Sequence, residues 1–145
     1  MRRTLGVGIV LLLLGLLNAQ AALAQSTPPE RRSRSRGNYP NPFNPVTRIP
    51  FELWDDDFRD GKPAIVTIRI YNVMQQLVAI PQAENHPNGG APLVNRLAYF
   101  PPARKWVAYW EGTDRTGRKV ASGTYFFIVE VNGVRAPPIP MVVSK

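Results

Sequence analysis

Beyond residue 38, apolar and polar residues alternate with a period of two, and no window carries a helical period long enough to compete. Ile49, Phe51 and Leu53 share one face of a first predicted strand, with Arg48, Pro50 and Glu52 on the other. Pro50 has no N–H to give to a ladder, so this strand belongs at a sheet edge. A second strand over 64–71 alternates Val66, Ile68 and Ile70 with Thr67, Arg69 and Tyr71, and 77–80 returns as its hairpin partner. Strand character resumes over 105–110 and 124–131, and in the latter Tyr125, Phe127, Val129 and Val131 oppose Phe126, Ile128 and Glu130. Asn132-Gly133 signals a two-residue hairpin. A last strand over 139–144 sets Ile139, Met141 and Val143 on one side. Between these runs, 81–104 holds Pro81, Pro87, Asn88-Gly89-Gly90, Pro92 and Pro101-Pro102, and reads as a long loop with one helical turn near 93–99. Short strands without intervening helices predict an all-β chain, an antiparallel β-sandwich of about seven strands. No internal repeat is present.

The first 24 residues follow a different rule. Arg2 and Arg3 precede an apolar run over 5–17, and Ala22-Leu23-Ala24 fits small-residue cleavage, which predicts a signal peptide cut after Ala24. As a helix that run spans about 20 Å, short of the roughly 30 Å hydrocarbon core, so no permanent membrane span is expected. The arginines directly after Met1 favour the general secretory route over the twin-arginine route. Residues 25–37 contain no large apolar side chain and cannot offset their ordering entropy by burial, so they are expected to form a flexible arm.

Charge sharpens this division. The chain of 145 residues carries 18 basic and 10 acidic side chains, a net +8. Arg2 and Arg3 leave with the signal, and Arg31, Arg32, Arg34 and Arg36 crowd the arm beside Glu30. From Asn38 onward 12 basic side chains face 9 acidic ones, so the folded part is only mildly basic. The arm arginines serve either as a solvated tether or as an attraction to anionic lipid or polysaccharide. Nucleic acid is not an expected partner outside the cytoplasm. With no Cys, the chain forms no disulfide, and the 121 residues left after cleavage at Ala24 must be held by their core.

Tyr39-Pro40-Asn41-Pro42-Phe43-Asn44-Pro45, followed by Thr47, Ile49 and Phe51, resembles the opening of the FlgD-type immunoglobulin-like domain, named after the flagellar hook-capping protein. That family is related to the C-terminal sorting domains of the type IX secretion system. Residues 68–72, then 77–78, are similar to the family's second strand and the strand after its turn. Trp110, Gly112, Asp114 and Gly117, then Gly123 and Tyr125, fall in the stretch that resembles its most specific motif. The resemblance covers 38–145 and implies an immunoglobulin-like sandwich. Two departures stand out: Gln75 sits where the family has Gly, so that hairpin must close differently, and 81–104 is longer than the usual connection.

The motifs also make sense physically. Three prolines in 39–45 fix their own φ and bias their neighbours toward extended backbone, giving a stiff lead-in along a sandwich edge. Asp114-Arg115-Thr116-Gly117 suits a type I turn. Trp110 and Tyr125 are expected as core or corner aromatics.

Reactive chemistry is hard to find. His86 is the one imidazole and stands in the Pro/Gly-rich loop, where solvation is expected. Asp55, Asp56, Asp57 and Asp60 invite a calcium site, but Arg59 and Phe58 fall on ligand positions and no Glu closes the loop. No cofactor or metal site is expected. The chain is therefore expected to be a non-catalytic secreted or envelope module, in the periplasm, on the outer-membrane surface or outside the cell. The resemblance implies docking to secretion machinery or another envelope protein, with Ile139, Met141, Val143 and Lys145 of the last strand as the docking candidates. As only the arm precedes the module, a structural or adaptor subunit is expected over a secretion tag. The alternative is a glycan-binding module using Trp54, Trp106, Tyr99 and Phe100, and beyond it a hydrolytic enzyme.

Overall fold

The computed structural model describes residues 32–145, so the expected signal peptide over 1–24 and the arm as far as Arg31 lie outside the described residues. Nine strands follow in order: β1 (Thr47–Glu52), β2 (Ala64–Asn72), β3 (Leu77–Ala79), β4 (Gln82–Glu84), β5 (Leu97–Tyr99), β6 (Lys105–Trp110), β7 (Gly123–Val131), β8 (Val134–Arg135) and β9 (Ile139–Val143). They form two antiparallel sheets. One is three-stranded, in the order β1-β6-β4; in the other, β3 and β5 flank one side of β2, β7 lies on its other side, and β8 and β9 flank β7. Pro50 does lie in an edge strand, paired on its inner side with Val107.

The alternation read from the sequence is the burial pattern of the core. Ile49 and Phe51 of β1, with Trp106, Ala108 and Trp110 of β6, face Val66, Ile68 and Ile70 of β2, with Tyr125, Phe127, Val129 and Val131 of β7. Met141 and Val143 complete this layer from β9. The period of two places these residues inward, and their burial removes enough apolar surface to hold two sheets without disulfides.

Turns close as their residues require. Asn132 and Gly133 both take positive φ, 50° and 81°, and link β7 to β8 as a two-residue hairpin. Gln75 itself adopts φ 60°, and the Asn72 side chain rebuilds the turn by accepting from the Met74 and Gln76 amides at 3.0 and 2.9 Å. Near the start of β7 the Tyr125 hydroxyl donates to the Ala121 carbonyl at 2.9 Å, the corner bond of Greek-key sandwiches.

Three expectations change. The helical turn near 93–99 is replaced by an isolated antiparallel bridge at Leu93 and by strand β5. The strand count exceeds seven because β4 and β5, three residues each, lie within the Pro/Gly-rich segment that reads as a loop, and β8 has only two residues. The expected flexible arm does not extend to Gly37: residues 34–39 lie along β1, for the Arg34 carbonyl accepts from the Glu52 amide at 2.8 Å and Tyr39 exchanges bonds of 2.9 and 2.8 Å with Arg48. Composition hid this because the anchoring is polar.

Candidate docking surface

A sandwich has two open sides where strand edges face water, and here both are covered. On the first, residues 34–39 lie outside β1, and the same chain crosses to the other sheet to lie outside β9. Phe43 donates to the Val142 carbonyl at 3.0 Å and accepts from the Ser144 amide at 2.9 Å, while the Asn41 side-chain carbonyl accepts from the Val142 amide at 3.0 Å. Pro140 has no donor to offer on the same edge. This strap is pinned at both ends. Arg34 makes two bonds to the Asp57 carboxylate, at 2.5 and 2.8 Å, and lies 3.8 Å over the Trp54 ring. Phe43 is buried against Trp110, their centroids 5.5 Å apart. Gly112 lets the strap pass: a Cβ there would meet the Pro45 carbonyl at 3.0 Å, and its φ is 65°.

The second side is closed by the long loop. Ala83 donates to Pro92 at 2.7 Å outside β4, and Val94 spans the gap, donating to Pro81 at 2.9 Å and accepting from Ile68 of β2 at 2.9 Å. His86 is buried, not solvated: its Nε2 lies 3.0 Å from the Ala98 carbonyl of β5, its Nδ1 accepts from Asn88, and its ring meets Tyr99 edge-on at 5.0 Å. Tyr99 in turn packs on Phe51 and Trp106. Burial pushes the Tyr99 phenol well above its ordinary range, and raises Tyr125 likewise.

These placements redistribute the sequence candidates. Met141 and Val143 are buried core residues, Ile139 packs beside them, and the outer edge of β9 is occupied at Val142 and Ser144, so the last strand is not an open pairing edge. Lys145 is exposed, its amide donating to the Ser122 hydroxyl at 3.2 Å. Of the arm arginines, Arg34 is neutralised by Asp57, while Arg32 and Arg36 are exposed. The glycan platform disperses: Tyr99 and Trp106 are buried, Trp54 is stacked by Arg34, and Phe100 alone of the four is strongly exposed.

Trp110 is buried and donates through Nε1 to the Thr113 carbonyl at 2.8 Å; Tyr39 is half exposed, and Asn38 ties Pro40 to Thr47. In the Asp114–Gly117 turn, the Asp114 carboxylate is lowered to about 2, first by the Thr116 hydroxyl and further by the Arg118 and Thr116 amides and the Arg118 charge. Arg115 donates to Val78 at 3.1 Å, so this turn also covers the edge of β3. Of the acidic cluster, Asp57 is committed to Arg34, and no group of three His, Asp or Glu that could hold a metal occurs among the described residues.

The surface missed in the sequence is the outer face of the six-stranded sheet. Tyr71 stands opposite Phe126, and Arg69 opposite Ile128. A groove of about 540 Å³ runs over Phe126 and Ile128, walled by Tyr71, Val73 and Gln75 on one side and by Arg135 and Pro138 on the other. Beside it, the Asn72-braced turn holds Val73 and Met74 at 67% and 70% exposure. The signal was legible in principle: Phe126 and Ile128 occupy solvent-facing positions where alternation calls for polar residues.

No family model and no curated protein matches this chain. Among solved structures, dimeric latent PorU from Porphyromonas gingivalis is similar, with 17% identity and a TM-score of 0.49. The match covers 74% of this chain and 9% of that one. Among the described residues no helix is long and apolar enough to cross a membrane.

Proposed function

We propose that the chain is an exported, non-catalytic docking subunit that binds a protein partner on the face of its six-stranded sheet. Export rests on the Arg2-Arg3, apolar-run and Ala22-Leu23-Ala24 pattern, and an envelope role on the resemblance of 38–145 to sorting and attachment domains. The observation that carries the docking reading is the apolar floor of Phe126 and Ile128 beside the exposed Val73 and Met74. An exposed apolar patch rimmed by polar groups marks an interaction site, and aromatic floors supply much of the affinity at such sites. Because the turn is already ordered, little rotamer and backbone freedom is lost on association. Strand addition is disfavoured by the covered seams.

The test is retention of the purified chain by native envelopes. The double variant Phe126→Ser with Ile128→Glu leaves the core untouched and should keep its thermal unfolding, yet lose retention by about tenfold or more. Arg32→Ser with Arg36→Ser should remove only the part that salt removes. Unchanged retention by the sheet-face variant would overturn the reading.

A further inference from the structure

Resting on that docking reading, we infer that the groove takes an extended protein segment in which a carboxylate stands beside a bulky apolar side chain. Arg135 would receive the carboxylate, and Phe126, Ile128 and Pro138 the apolar group.

The charge on this face is unbalanced. Arg69 and Arg135 share one acid, Glu130, whose Oε2 lies 3.4 Å from Arg69 and 4.0 Å from Arg135. The longer contact is beyond hydrogen-bond reach, so Arg135 keeps most of its donors. It is also positioned: one Nη donates to the Tyr71 hydroxyl at 3.2 Å, which holds the guanidinium at the groove while half its side chain remains exposed. A planar guanidinium fork matches a carboxylate better than any other common anion of a protein surface.

Both walls are preformed. The hairpin carrying Arg135 is fixed by Asn132, which accepts from the Ile65 amide at 2.8 Å and donates to the Asp57 carbonyl at 2.9 Å. The wall bearing Val73 is fixed by Asn72, as described above. One uncompensated cation over an apolar floor suits one carboxylate next to one apolar group. A lipid surface is read by several cations together, each contributing about 1 kcal/mol.

The probe is an acetylated, amidated Ala-Glu-Phe-Ala peptide, titrated into the isotopically labelled full chain by nuclear magnetic resonance and compared with its Ala-Gln-Phe-Ala counterpart. Shifts should concentrate at Tyr71, Phe126, Ile128 and Arg135, and the Glu peptide should bind about fivefold tighter, the upper range for a solvent-exposed ion pair. Arg135→Gln should erase that preference while leaving the Gln peptide unaffected. Equal binding of the two peptides, or no shift with either, overturns the carboxylate inference; the docking reading then stands or falls separately on the envelope test. Shifts of the same residues with vesicles containing phosphatidylglycerol, and none with peptide, would overturn both in favour of a lipid surface.

Discussion

The two sides of the sandwich are closed by different kinds of chain. Within the described residues the strap over 34–43 runs covalently into a strand only at its downstream end, whereas the loop over 81–104 is tethered by β3 at one end and β6 at the other. Ordering a segment fixed at one end costs more of its freedom than ordering one already closed into a loop. The anchors differ accordingly. The strap has a bidentate ion pair, a cation stacked on Trp54 and the buried Phe43 ring. The loop is held by backbone bonds at Ala83 and Val94, by the packing of His86 on Tyr99, and by charge contacts nearer the solvent, Glu84 with Arg48 at 3.1 Å and Arg104 3.9 Å over Trp106. The buried ion pair is placed where the chain would otherwise come away, and the exposed one where it is already tethered.

The sharpest way to break this contrast is Phe43→Ala. Emptying a fully buried aromatic site should cost about 3–5 kcal/mol in denaturant unfolding. A loss under 1 kcal/mol would mean that the strap is held by its backbone bonds alone. Arg34→Gln comes next, at about 2–3 kcal/mol, because it strands the Asp57 carboxylate at 8% exposure. Adding Asp57→Asn should return part of that loss, and a double-mutant cycle showing no coupling would remove the ion pair from the account. Amides of 34–43 should then exchange faster with solvent while Val94 is unaffected.

On the loop side, His86→Ala should cost about 1–2 kcal/mol, through the lost edge-on packing and the freed Ala98 carbonyl. Hydrogen exchange should quicken at β5 and leave the strap unchanged. The smallest effect belongs to Asp114, in neither the strap nor the long loop. Its carboxylate is held at about 2 against an ordinary 3.8, so its contribution is complete above pH 4 and is lost as pH falls through about 2. Asp114→Asn should flatten that acid limb in thermal unfolding, and an unchanged limb would assign the acid sensitivity elsewhere.

Much of the fold was legible because alternation is a local property. The inward sets Val66, Ile68, Ile70 and Tyr125, Phe127, Val129 needed only their own neighbours to be placed. Pro50 marked its strand as an edge for the same reason. What was illegible depends on contacts distant in sequence. Arg34 read as a solvated arm residue because Asp57 is 23 positions away, and His86 read as solvated because Ala98 and Tyr99 lie across the loop. Val94 shows no alternation, since it belongs to no strand and is held by single bonds to Pro81 and to Ile68 of β2. Trp106 and Tyr99, offered as stacking faces, are indistinguishable from exposed aromatics until the loop is folded over them. The groove was missed because Phe126 and Ile128 sit in a continuous apolar strand, which reads equally well as one buried on both faces.

The strap also bears on how the protein behaves when crowded. A bare β9 beside a bare β1 would offer two unpaired ladders of amides and carbonyls, and molecules held close together could add to one another strand by strand into fibres. Asn41, Phe43 and Pro140 remove that template from β9, and residues 34–39 remove it from β1. High local density should therefore leave the subunits as separate folded bodies, whereas removing the residues before Val46 should turn the domain into a self-adding one.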